Sequence, residues 1–116
     1  MALFSVGCES AATRYEKHVA SGEDHLTNGR LQEAILSFKS ALAARPADLD
    51  ARKLLTECYL ERGAKEPARE LIEVLSTEVP DDPEIPLLEV RLALLDDDAD
   101  RALEVLQGYM AVHGET

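Results

Sequence analysis

Apolar residues return every three or four positions along most of this chain, and the set of them repeats. Leu31, Ala34, Ile35, Phe38, Ala41 and Leu42 fall on one helical face. Ala68, Leu71, Ile72 and Leu75 do so again, and Ala102, Leu103, Val105, Leu106, Tyr109 and Met110 a third time. Ala34, Ala68 and Ala102 recur at one constant interval, Gly29 recurs as Gly63 at that interval, and so does Pro46 as Pro80. A fixed interval of this size predicts a stack of helical hairpins, each contributing one such face. The first helix of each hairpin is weaker in pattern, with expected spans 13–28, 48–62 and 83–95. The second of these reads best, through Ala51, Leu54, Leu55, Cys58, Tyr59 and Leu60. No segment alternates apolar and polar residues long enough to predict a strand.

Punctuation residues agree with the periodicity. Gly29 and Gly63 fall at the turns inside the hairpins, Pro46 and Pro80 stop helices, and Asp48 and Asp82 are placed to cap the helices that follow. In the third hairpin Asp96-Asp97-Asp98 replaces the glycine turn, and one of these acids can cap the next helix. Pro83 and Pro86 sit in a first helical turn, where missing amide donors cost little. The expected fold is all-α: a solenoid of about three helix–turn–helix units in a right-handed superhelix. The units are 15–48, 49–82 and 83–116, forming one domain (15–116) behind an N-terminal segment (1–14).

Composition narrows the function. Aromatic residues make up only 4% and Trp is absent, so the core must be aliphatic, which suits close helix packing. The net charge is −11 and is uneven: residues 1–48 carry six acids and five bases, residues 49–116 seventeen acids and seven bases. Such a surface cannot release counterions from a phosphate backbone, which argues against DNA or RNA as a partner. No apolar run approaches the roughly 20 residues of a membrane-spanning helix. Cys8 and Cys58 cannot make a disulfide scaffold, and no Cys/His cluster has metal-ligand spacing.

The stretch from Gly29 through Ala34, Phe38 and Ala41 to Pro46 resembles the tetratricopeptide repeat. Gly63, Ala68, Ile72, Pro80 and Tyr59 match it again, with Leu75 replacing a small residue, and the third unit keeps Ala102 and Leu106 without the glycine or the proline. The resemblance implies a concave groove lined mainly by the first helices. By repeat position its residues would be Glu16, Val19, Glu23, Leu26 and Thr27, then Asp50, Lys53, Glu57, Leu60 and Glu61, then Glu84, Leu87, Arg91, Leu94 and Leu95. The family's carboxylate clamp uses bases where these positions are mostly acidic or aliphatic, so a basic amphipathic helix or an extended peptide is the expected ligand. Lys53 and Arg91 are lone bases among acids, for which an internal ion pair is preferred over a ligand contact.

Two further expectations concern the chain's ends. Phe4-Ser-Val-Gly-Cys8 resembles the close of a bacterial lipoprotein signal, but the apolar run is short and no base precedes it. Either the true start lies upstream and Cys8 is lipidated, with residues 9–14 as a tether at the envelope, or Cys8 is incidental and the protein is cytoplasmic. At the other end Leu87, Leu88, Val90, Leu92, Leu94, Leu95 and Leu103 crowd the third unit, which predicts a homodimer or docking to further repeats. Catalysis is not expected: His18, His25 and His113 have no nucleophile or metal partner, and no phosphate loop or cofactor motif occurs. The sequence therefore points to a non-catalytic protein-interaction scaffold, with self-association through the third unit as its alternative.

Overall fold

The computed structural model describes residues 10–114, which fold into six α-helices with no strand among them. They are α1 (Ala11–Thr27), α2 (Leu31–Ala44), α3 (Leu49–Arg62), α4 (Lys65–Glu78), α5 (Glu84–Leu95) and α6 (Ala99–His113). Helices α1 and α2 pack together, as do α5 and α6, and α4 packs on α5. The chain forms two compact units divided inside α3, one ending at Cys58 and the other starting at Tyr59. The first helix starts at Ala11 rather than 13, because the Ser10 hydroxyl accepts a hydrogen bond from the Thr13 amide at 3.1 Å. Residues 11–14 are therefore helix, not tether; Cys8 lies outside the described residues.

The turns inside the hairpins share one geometry. Just past each first helix, one amide donates to a carbonyl in the helix's last turns: Arg30 to His25, Ala64 to Tyr59 and Asp98 to Ala93, each at 2.8 Å. This pattern closes the helix end only if the residue before the donor is left-handed. Gly29 and Gly63 supply it with φ of 75° and 79°. Asp97, one repeat after Gly63, supplies it with φ of 57° and is the non-glycine residue held there. The second helix then starts at once, and Asp98 caps α6 by accepting from the Arg101 amide at 3.0 Å.

In the unit ending at Cys58, α2 buries Ala34, Ile35, Phe38 and Ala41. Gly22 lets α1 approach: a Cβ there would stand 2.5 Å from Cε1 of Phe38. Tyr15 fastens the start of α1 to the turn after α2. Its hydroxyl donates to Asp48 Oδ2 at 2.6 Å, the same oxygen accepts from the Ala51 amide at 2.8 Å, and the Arg45 guanidinium lies 4.5 Å over the Tyr15 ring. Burial, then the Asp48 carboxylate, pushes the Tyr15 phenol up to about 12. Cys58 is a buried core residue.

In the unit starting at Tyr59, Ala68, Ile72 and Leu75 of α4 and Ile85, Leu88, Leu92 and Ala93 of α5 are buried. Charge ties α4 to the end of α5, with Arg69 3.2 Å and Lys65 3.7 Å from Asp96. Asp96 and then Glu66 raise the Arg69 pKa. Asp82 accepts from the Glu84 amide at 2.9 Å, opening α5 as expected.

Candidate partner-binding surface

The candidate residues come from the first helices, so their placement follows from the helix register in each unit. In the unit ending at Cys58, Glu16, Glu23 and Asp50 are exposed, and Val19, Leu26, Lys53 and Glu57 are half-buried. Lys53 has an interaction within the chain. The half-buried valine and leucine present apolar surface with carboxylates beside them in sequence. His25, on the same helix, accepts at Nδ1 from Arg30 Nε at 3.2 Å, a packing role at the hairpin turn.

In the unit starting at Tyr59 the candidates converge. Leu60, Arg91, Leu94 and Leu95 line one depression of about 230 Å³. All four stand among the expected groove positions. Leu60 is 4% exposed and forms the floor, whereas Leu94 is 57% exposed and forms a wall. Leu26, Leu60 and Leu94 are spaced by the repeat interval, so the depression falls at a position that is leucine in every repeat. Arg91 is exposed and makes no ion pair among the described residues, contrary to the internal pairing preferred from sequence. Leu87 is exposed one turn away, as is Glu61 next to Leu60.

Two of this unit's other cavities lie away from the expected groove positions. One of about 350 Å³ is lined by Ile72, Leu92, Ala93 and the Arg69–Asp96 pair. The other, of about 510 Å³, is lined by Pro80, Pro86, Val105, Gly108, Tyr109 and His113 among others, with the Tyr109 and His113 rings 4.6 Å apart. Among the described residues no group of His, Cys, Asp or Glu could hold a metal ion, and no helix is long and apolar enough to cross a membrane.

A family model for the tetratricopeptide repeat matches residues 25–92, more than half of the chain. The chain belongs to the tetratricopeptide repeat family. No curated protein and no solved structure matches it. Tetratricopeptide repeats generally mediate protein–protein interaction and are typically non-catalytic. Within this tetratricopeptide repeat protein, the matched span ends in α5, so α6 and the apolar residues on it lie beyond the match.

The expected crowding of the third unit divides on inspection. Leu88 and Leu92 are buried and Val90 and Leu95 half-buried, because they form the core of α5. Exposure concentrates instead on Leu87 and Leu94 of α5 and on Leu103, Leu106, Met110 and Val112 of α6. Helical periodicity identifies an apolar face, but not whether a neighbour covers it. That is why sequence alone grouped the buried and the exposed leucines together.

Proposed function

We propose that this protein is a non-catalytic scaffold that binds a basic, amphipathic helix or peptide of a partner protein through its first helices. The depression lined by Leu60, Arg91, Leu94 and Leu95 carries the reading. It offers an apolar side chain a seat of about 230 Å³, which suits an anchor of leucine size. Glu57 and Glu61 flank Leu60 in sequence, and the chain from residue 49 onward carries ten more acids than bases. That field attracts a basic partner and speeds encounter at low salt. Leucine in the seat fixes the partner's register, while the acids select its charge.

The test is fluorescence anisotropy with labelled basic amphipathic helical peptides at low and high salt. Leu94→Ser removes the wall of the seat, and Glu57→Lys with Glu61→Lys reverses the flanking charge. Both variants are expected to keep wild-type helicity, with peptide affinity lowered about tenfold or more. The charge variant should also lose most of the salt dependence. Undiminished binding by both variants would move the site away from these helices.

A further inference from the structure

Gly22 makes room for Phe38, and Gly29 and Gly63 hold left-handed turns, so each of these glycines has a reason inside the chain. Gly108 has none. It stands within α6, where glycine weakens a helix, and a Cβ added there would meet no neighbouring atom within 4 Å. At the same repeat position α2 carries Ser40 and α4 carries Val74. The missing side chain opens onto the cavity of about 510 Å³, inside the roughly 300–1,000 Å³ of ligand sites. The next residue departs from the repeat as well. Where α2 and α4 bury Ala41 and Leu75 completely, α6 carries the half-buried Tyr109. Helical spacing sets Val105, Gly108, Tyr109 and Val112 within about 100° of arc, and the exposed Leu103, Leu106 and Met110 fall outside it. The cavity's other lining comes from the connection between α4 and α5 and from the first turn of α5.

We propose that this cavity binds the side chain of an arginine carried by a basic segment of a partner protein, a contact separate from the seat at Leu60. The lining offers rings and bare backbone, through Pro80, Pro86, Tyr109 and Gly108, which suits a planar group. It also offers charge. Asp82 is engaged in opening α5, whereas Asp81 is exposed and makes no ion pair among the described residues. Two carboxylates line the cavity against one imidazole, that of His113, and the chain from residue 49 onward carries ten more acids than bases. That field draws a cation in. An aromatic side chain would use the rings and leave Asp81 unanswered. A lysine would answer Asp81 but has no planar face for Tyr109. A guanidinium does both, stacking on the ring and pairing with a carboxylate through parallel N–H donors. An arginine within a protein segment fits better than free arginine, whose own carboxylate would meet the same acids.

Proton–nitrogen NMR spectra of the full chain test this, with N-acetyl-arginine methylamide as the probe. The Gly108 and Tyr109 amides are expected to shift saturably, with a dissociation constant in the millimolar range. The lysine and phenylalanine counterparts, and free arginine, should each bind at least about threefold more weakly. Asp81→Asn should weaken the arginine probe about threefold or more and leave the phenylalanine probe unchanged. Gly108→Leu fills the slot and should weaken the arginine probe at least about tenfold while helicity is kept. Gly108→Ala should raise the melting temperature by about 3–6 °C, because alanine favours the helix and its Cβ meets nothing. None of these probes or variants involves Leu60 or Leu94, so the outcome is independent of the seat they form. The proposal is overturned by the lack of a saturable shift at Gly108, or by a lysine, phenylalanine or free-arginine probe that binds as tightly. Undiminished binding by Gly108→Leu or Asp81→Asn overturns it too, as does a melting temperature lowered by Gly108→Ala.

Discussion

Replacing Asp97 by glycine should stabilise the protein. The residue holds φ of 57° at the turn where the other hairpins use Gly29 and Gly63. An L-residue pays about 1–2 kcal/mol for a left-handed backbone, with aspartate towards the lower end. Glycine gives back about 0.5–1 kcal/mol through its greater freedom in the unfolded chain. Asp97 is exposed and follows the C-terminus of α5, where the helix dipole disfavours a negative charge by about 0.3–1 kcal/mol. The balance favours Asp97→Gly by about 1 kcal/mol, or about 3–6 °C in melting temperature at this chain length. Thermal melts and urea titrations followed by circular dichroism at 222 nm measure it. Asp97→Asn separates the two causes, since it removes the charge and keeps the side chain's shape. It should gain about half or more of the glycine effect through the charge alone, and Gly63→Ala should lose about 1 kcal/mol. The reasoning is refuted if Asp97→Asn gains nothing, or if Asp97→Gly leaves the midpoint where it was.

Gly22→Ala should destabilise by about 1–2 kcal/mol, the overpacking against buried Phe38 outweighing the better helix propensity of alanine. Adding Phe38→Leu should restore part of the loss, and a double-mutant cycle with no coupling would show that the two residues do not share that space. Tyr15→Phe should lose about 1–2 kcal/mol at pH 7, the worth of a half-buried hydrogen bond to a carboxylate. The phenol is raised from 10.0 to about 12, so its stabilisation is complete below pH 10 and disappears as pH rises through 12. Urea midpoints of the wild type should therefore converge on those of Tyr15→Phe across that window, and parallel curves would rule the linkage out.

Much of the architecture was legible because packing and turn chemistry are local. The expected first helices 13–28, 48–62 and 83–95 lie within two residues of α1, α3 and α5 at every end. The alanines at 34, 68 and 102 are all buried, at most 5% exposed. What stayed hidden depends on residues distant in sequence. Gly22 reads as a weak point inside a helix until Phe38 is placed against it. Tyr15 and Asp48 are separated by the whole first hairpin, and nothing in either residue signals the other. The seat at Leu60 was legible as repeat positions; that Leu60 forms its floor and Leu94 its wall was not, because sequence shows which residues share a face but not how deep each lies.

The contrast between α4 and α6 shows how charge on a second helix can select the hairpin that packs on it. If every second helix offered the same apolar stripe, one hairpin could dock on another's neighbour and the stack would be ambiguous. On α4 the stripe instead carries Lys65 and Arg69, and Asp96 on the following hairpin answers both at 3.7 and 3.2 Å. A hairpin lacking that acid would leave two cations facing its apolar helix end, so the pair rejects wrong neighbours as much as it rewards the right one. With Arg69 and Asp96 each about one-third exposed, screening keeps the net stabilisation small, which fits a device for choosing a neighbour better than one for holding it. On α6 Ala99 and Leu103 stand at the positions of those cations, so this selection is absent there.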